Sequence, residues 1–239
     1  MFVAFLFIPV VAGNGFMEDS IPNIPEITER QSTWTRDYTI FDPCNTNKPG
    51  NRTINCSQKI RRETSKTGEY EIYIRNDPLN VTCDMKSDGG GWTVIQRRSE
   101  KEEGENFFER NITEYERGFG TAGGSFWIGL DNLHTLTSYP NSQQALRIEL
   151  KRHDGSKKET VVHYNKFHVG SKGENYKLTI DEYDDTKSTG YNALSSHNES
   201  KFTVRNYTEG KSDKGTCFSE TLTGGWWFAK CSEANLNGR

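Results

Sequence analysis

Cys83-Asp84-Met85-Lys86-Ser87-Asp88-Gly89-Gly90-Gly91-Trp92-Thr93-Val94-Ile95-Gln96-Arg97-Arg98 reads as a strand, a turn and a second strand. Val81-Thr82-Cys83 leads in, and Trp92 to Gln96 supplies the aromatic and β-branched residues that suit a pleated, half-buried surface. Between them, Ser87 to Gly91 is turn chemistry. The three glycines suit a tight turn with positive φ, which side chains resist. A phosphate cradle would need a helix opening after the glycines, and here a strand follows.

Outward from this unit the pattern stays rich in strands. Tyr70 to Ile74 alternates and ends at the turn Asn76-Asp77-Pro78. Downstream, Phe126-Trp127-Ile128-Gly129-Leu130 opens a short helix running through His134 and Leu136. Leu146 to Leu150 and Thr160 to Tyr164 flank Asp154-Gly155, a hairpin signal, and Tyr176 to Ile180 is a further strand. Beyond Asp181 the sequence is irregular, with Gly-, Asn- and Ser-rich loops around Trp226-Trp227. A pattern that turns strand-like from Cys56 starts a domain there. Gly13 to Asn55 is polar, holds prolines at Pro22, Pro25, Pro43 and Pro49, and has no sustained period, so it reads as a tail or linker. It carries neither a collagen repeat nor heptads.

Composition narrows the function classes. The 239 residues can bury a sizeable core. With 13 Phe, 10 Tyr and 5 Trp, that core leans on large rings, while 22 Gly imply many turns. The formal charge of −3 creates no basic field, which argues against a nucleic-acid partner. Gln96-Arg97-Arg98 and Lys157-Lys158 read as solvated strand or turn faces.

The ends and modification signals point outside the cell. Met1 to Val11 is an apolar run of signal-peptide length, with Val10 and Ala12 small enough for cleavage after Ala12. It lacks a basic n-region and is too short to span a bilayer. No later stretch is apolar enough for a membrane helix. Six Asn-x-Ser/Thr sequons, at Asn51, Asn55, Asn80, Asn111, Asn198 and Asn206, fit a secreted glycoprotein. The five cysteines, Cys44, Cys56, Cys83, Cys217 and Cys231, form no zinc-type spacing, so in an oxidising compartment disulfides are the default. An odd number leaves one thiol over.

Several ordered blocks then carry a resemblance. Cys83-Asp84-Met85 and Gly89 to Arg98 are followed by Phe107, Tyr115, Gly118-Phe119-Gly120 and Phe126 to Leu130. Gly224-Gly225-Trp226-Trp227, Cys231 and Asn235-Leu236-Asn237-Gly238 close the series. From Cys56 to Arg239 the protein resembles the fibrinogen C-terminal domain family. The resemblance implies an α+β fold with antiparallel sheets, short helices and a loop-rich C-terminal binding subdomain. The expected organisation is a signal peptide at 1–12, a polar tail or linker at 13–55, and the domain at 56–239, cut short relative to typical members. The resemblance also implies two disulfides, Cys56–Cys83 and Cys217–Cys231. Cys44 then either bridges to a second molecule as a disulfide-linked dimer or stays a free or scrambled thiol.

The family's site maps onto the sequence residue by residue. Members usually bind calcium in an acidic loop before the third conserved cysteine, since calcium needs several hard oxygens. Here Phe202-Thr203-Val204-Arg205 matches the lead-in, but Asn206, Thr208 and Gly210 stand where acids are expected. Calcium binding is therefore expected to be lost or weak, and no cofactor is assigned. Lectin members hold an acetyl group nearby, against backbone N–H groups aimed by a cis peptide, here Lys230–Cys231; such a bond costs about 3 kcal/mol without proline. Its expected contacts are Cys231, Ser232, Leu222, Phe228 and Lys230, with Leu222, Phe228 and Ser232 departing from the lectin side chains. The tryptophan pair is expected to pack beside this site rather than stack sugars.

Two functions follow from the resemblance. One is an innate-immune, lectin-like binder of acetylated or other microbial surface glycans. The alternative is an extracellular ligand of angiopoietin or tenascin type that binds a protein receptor without sugar binding. No enzyme is expected, because no Gly-x-Ser-x-Gly or His-Glu-x-x-His pattern occurs and the five histidines are scattered. The acids Asp181, Glu182, Asp184 and Asp185 read as a solvated face.

Overall fold

A computed structural model describes residues 2–8, 53–62, 66–99, 106–139, 143–152, 159–204, 223–229 and 233–238. The strands are β1 (Phe2–Ile8), β2 (Gly68–Ile74), β3 (Asp77–Asp84), β4 (Trp92–Arg97), β5 (Phe119–Gly120), β6 (Phe126–Trp127), β7 (Gln144–Arg152), β8 (Glu159–Val169), β9 (Leu178–Tyr183), β10 (Thr203–Val204) and β11 (Gly225–Trp226). The helices are α1 (Cys56–Arg62), α2 (Ile112–Arg117) and α3 (Leu130–Thr137). The first nine strands form one sheet in the order β2-β3-β4-β1-β7-β8-β9, with β6 beside β4 and β5 beside β6. Every pairing in it is antiparallel.

The opening sequence unit folds as its residues dictate. β3 and β4 pair through Cys83 with Thr93 and Asp84 with Trp92. Between them Gly89, Gly90 and Gly91 all have positive φ, at 86°, 75° and 81°, a region L side chains rarely adopt. The Asp84 carboxylate accepts from the backbone N–H groups of Lys86 and Ser87, at 2.8 and 3.2 Å, and so fastens the turn. The Cys56–Cys83 disulfide is formed across 27 residues, a loop closure worth about 3 kcal/mol in the chain-entropy picture.

The sheet carries its main core on one face. Ile95, Leu146, Ile148, Tyr164, Phe167, Val169, Leu178 and Ile180 meet α3 and the C-terminal segment there. An aromatic cluster extends it: Trp127 stacks on Phe202 with centroids 6.0 Å apart, and Trp227 meets Phe202 edge-on at 5.1 Å. On the opposite face Trp92, Val94 and Ala145 form a smaller cluster.

One segment differs from the sequence reading. The domain opens at Cys56 with a helix, α1, rather than a strand. Asn55 caps it, its side-chain oxygen accepting from the Gln58 N–H at 3.0 Å, and Thr93 Oγ1 accepts from the Cys56 N–H at 3.1 Å. Local capping and the disulfide thus outweigh the absence of a helical period in so short an element. The apolar run expected to serve as a leader supplies β1, seated between β4 and β7. Among the described residues, no helix is long and apolar enough to cross a membrane.

Candidate functional site

The antiparallel β7–β8 pair sets up the site. Leu146 faces Tyr164, Ile148 faces Val162 and Leu150 faces Thr160, so these six residues share one side of the ribbon. Leu146 and Tyr164 are sealed in the core, Ile148 and Val162 are buried near its edge, and Leu150 and Thr160 are half-buried. The core face therefore opens at its end into a groove of about 620 Å³. Its apolar floor is walled by residues 190–194 on one side and 233–238 on the other, with Arg98 at the rim. Tyr191 stands 71% exposed on the first wall.

Both walls are fixed by polar clasps. The Tyr164 hydroxyl donates to Asn192 Oδ1 at 2.8 Å and accepts from the Leu194 N–H at 3.0 Å. Burial raises the Tyr164 pKa to about 12, so the hydroxyl keeps its proton and this donor role. The other wall hangs on Gln96, whose Nε2 donates to the Leu236 carbonyl at 3.1 Å and to Asn237 Oδ1 at 3.0 Å. Asn237 Nδ2 in turn donates to the Gly225 carbonyl at 2.8 Å, and Arg98 donates to the Gly238 carbonyl. Gly224, at φ 72°, lies so close that a Cβ would sit 2.2 Å from the Asn237 carbonyl oxygen. Tyr115 completes the support, donating to the Phe108 carbonyl at 2.8 Å and accepting from the Gly225 N–H at 2.9 Å.

His197 joins the two sides. Its Nδ1 lies 2.7 Å from the Trp227 carbonyl, which can only accept, so Nδ1 carries the proton. Nε2 is then free to accept from the Ala234 N–H at 3.2 Å. Both nitrogens are used structurally. The His134–Ser138 pair, 3.1 Å apart, is also no nucleophile and base, because His134 Nδ1 faces the Val169 carbonyl at 2.9 Å and neither residue lines the groove. Among the described residues no group of histidines, cysteines and carboxylates is placed to hold a metal ion. The site offers shape, an apolar floor and a few charged or polar rim groups, which is recognition chemistry.

Of the residues expected to form the ligand pocket, Phe228 alone is among the described residues. Phe228 packs in the core at 2% exposure, so its ring is not presented to a ligand. Trp226 and Trp227 are equally buried, with Trp227 Nε1 donating to the Tyr176 carbonyl at 2.6 Å, which makes the pair a packing element. Leu222, Lys230, Cys231 and Ser232, with the Lys230–Cys231 peptide, lie outside the described residues. So do Asn206, Thr208 and Gly210 of the calcium-loop segment, and Cys44 and Cys217. Of the sequons, Asn80, Asn111 and Asn198 are exposed, and Asn51 and Asn206 lie outside the described residues. Asn55 is 2% exposed and its side-chain oxygen caps α1, so the folded domain does not present it for modification. The groove floor itself escaped sequence reading, although the alternation from Leu146 to Leu150 marked one of its strands.

Known proteins place this architecture. The family model described as the C-terminal globular domain of fibrinogen β and γ chains matches residues 52–239. Among curated proteins, mouse angiopoietin-4 is 36% identical over 188 residues, covering 77% of this chain and 34% of the relative. Bovine angiopoietin-1 is 35% identical over 188 residues, with 77% and 35% covered. The chain thus spans about a third of the length of these relatives. Among solved structures, the fibrinogen-like globe domain of human ANGPTL2 aligns with a TM-score of 0.66 at 30% identity, covering 78% of this chain and 82% of that one. The corresponding domain of human ANGPTL6 gives a TM-score of 0.67 at 28% identity, covering 78% and 81%.

Proposed function

The protein belongs to the family of C-terminal globular domains found in the fibrinogen β and γ subunits, and from that premise we propose that it is a secreted, non-enzymatic recognition module that binds an extracellular protein. The observation that carries this reading is the open end of the core face. An apolar floor beside exposed Tyr191, with Arg98 and Glu233 at the rim, has the makeup of a protein-binding surface, where an aromatic anchor sits among polar rim groups. The identity to angiopoietins supports a protein partner over a microbial glycan. Secretion is supported by the sequons and by the Cys56–Cys83 disulfide. The glycan reading depends on backbone donors at Cys231 and Ser232, outside the described residues, and on Phe228, whose ring is buried. It draws no support from the relatives.

The test is a paired screen of the purified protein against an array of extracellular receptor ectodomains and an array of acetylated and microbial glycans. Saturable binding to an ectodomain that falls with Tyr191→Ala and Glu233→Lys is the expected result. Binding to acetylated glycans alone, insensitive to both substitutions, returns the reading to a lectin.

A further inference from the structure

Past β9 the sequence continues as an irregular loop, residues 184–190, which leads into the exposed Tyr191 of the groove wall. β9 pairs with β8 as far as Tyr183 opposite Tyr164. From there the loop, instead of a strand, bonds to Val161 and His163 of β8. The Asp184 N–H donates to the His163 carbonyl at 2.9 Å, and the N–H groups of Thr189 and Gly190 donate to the Val161 carbonyl at 2.8 and 3.1 Å. The hydroxyls of Ser188 and Thr189 accept from the His163 and Val161 N–H groups, each at 2.9 Å. Gly190 sits so close to the groove floor that a Cβ would lie 2.7 Å from Thr160 and 2.8 Å from Val162.

The His163 side chain lies on the other face of β8. It is 2% exposed, and neither ring nitrogen has a hydrogen-bond partner. A neutral imidazole needs one acceptor, whereas an imidazolium carries two N–H donors. Four charged groups face the ring. From the turn before β4, Asp88 Oδ2 lies 3.6 Å from His163 Nδ1, and Lys187 Nζ of the loop lies 3.2 Å from the same oxygen. Asp184 at the start of the loop and Arg147 on β7 complete the set, and Arg147 is itself paired with Glu149 at 2.8 Å. One carboxylate oxygen thus stands between two cationic partners. While the ring is neutral, Asp88 belongs to Lys187, and their ion pair ties the loop to the turn. Once the ring is protonated, a shift of under about 1 Å brings Nδ1 and Oδ2 to charge-assisted hydrogen-bond length. Lys187 is then left beside a new positive charge.

We propose that His163 is an acid sensor that regulates the groove: below neutral pH the protonated ring takes Asp88 from Lys187, the loop at 184–190 comes off β8, and Tyr191 leaves the wall. The direction follows from linkage. Burial, and after it the Lys187 ammonium, hold the imidazole of the closed form below its ordinary value of 6.5. The opened form, with Lys187 gone and Asp88 at hand, takes up the proton first, so acid favours it. Movement ends at residues 192–194, where the Tyr164 hydroxyl holds Asn192 and the Leu194 N–H. The consequence for a partner rests on the groove being the recognition surface.

Hydrogen–deuterium exchange at pH 7.5 and pH 5, corrected for the intrinsic rate of each amide, tests the sensor on the full-length protein with no partner present. The amides of Val161, His163, Asp184, Thr189 and Gly190 should exchange at least about threefold faster at the lower pH, while those of β7 and Leu194 keep their protection. His163→Gln should abolish the change. Glu149, whose carboxyl is pushed up by burial, remains in that variant, so a response it caused would survive there. Loop amides indifferent to pH in the unsubstituted protein, or a response that persists in His163→Gln, overturn the proposal. Should the variant fail to fold, NMR of the unsubstituted protein decides. The His163 ring must titrate with the same midpoint as loop opening, and a ring that titrates while the loop stays closed is equally fatal. Because the measurement needs no partner, an ectodomain screen without a hit removes the recognition reading and not the sensor.

Discussion

The two faces of the β7–β8 ribbon differ in kind. On one, Leu146, Ile148, Val162 and Tyr164 join the main core and then run out into the groove. On the other, Arg147 and Glu149 form an ion pair at 2.8 Å with both side chains largely covered, and His163 lies edge-on to Trp92 with ring centroids 5.5 Å apart. His163 Nδ1 is 3.6 Å from Asp88 Oδ2, and Lys187 Nζ is 3.2 Å from the same oxygen. Neither ring nitrogen of His163 makes a hydrogen bond. The same two strands therefore derive stability from packing on one side and from a balance of charges on the other. Only the second should depend on pH and on which member of a pair is removed.

The sharpest way to break that contrast is on the core face. Leu146→Ala removes a sealed side chain and should cost about 2–5 kcal/mol, read from urea or thermal unfolding. On the charged face Glu149→Gln leaves Arg147 largely buried without its carboxylate and should cost about 1–3 kcal/mol. Arg147→Met combined with Glu149→Leu should recover most of it, because the pair repays its own desolvation poorly. A double variant no better than the single one would mean that the ion pair is a net source of stability.

The titrating member sharpens the contrast further. Burial holds the His163 imidazole below its ordinary value of 6.5, the Lys187 ammonium adds to this, and Asp88 and Asp184 oppose it. Arg147 lies on the same face and also disfavours the charged ring. In the folded protein the imidazole thus stays neutral to lower pH than in the unfolded state. Above about pH 6.5 both states are neutral and the group contributes no pH dependence. As pH falls through that value the unfolded state takes up the proton first, and stability is lost. Melting at pH 7.5 and pH 5.5 should therefore show a larger fall in Tm for the unsubstituted protein than for His163→Gln. Lys187→Gln should reduce the fall, by letting the folded imidazole titrate closer to its ordinary value.

These faces were legible in the sequence to different degrees. The turn at Gly89–Gly91 and the strands flanking it follow from local chemistry, the packing role of Trp226-Trp227 was implied by the family resemblance, and the structure has each of them. The core side of β7 was likewise visible in the alternation from Leu146 to Leu150. The short helix α1 was not, because its seven residues are held by Asn55, by Thr93 from 37 residues away and by the disulfide, none of which shows as periodicity. The groove was hidden for a related reason. Its floor, the Tyr191 wall and the Asn235–Gly238 wall come from three separate stretches that meet only through contacts such as Gln96 to Leu236, 140 residues apart. The apolar run at Phe2–Ile8 was conspicuous, and its aromatic and β-branched residues suit both an apolar leader and the extended backbone of β1.

The smallest expected effect on stability tests the open end of the core face. Tyr191 follows Gly190 on the wall beside Val162 and Tyr164, yet its side chain is 71% exposed. Truncating an exposed ring leaves no cavity, so Tyr191→Ala should change stability by no more than about 0.5 kcal/mol. If the groove is the recognition surface, the same change should weaken partner binding about tenfold or more, the usual cost of losing an aromatic anchor. Leu146→Ala should show the reverse: a large loss of stability, and unchanged affinity in the fraction that remains folded. Together the pair separates the closed end of this face from its open end. A Tyr191→Ala protein that melts several degrees lower while binding normally would make residues 190–194 part of the core's lid and move the recognition surface elsewhere.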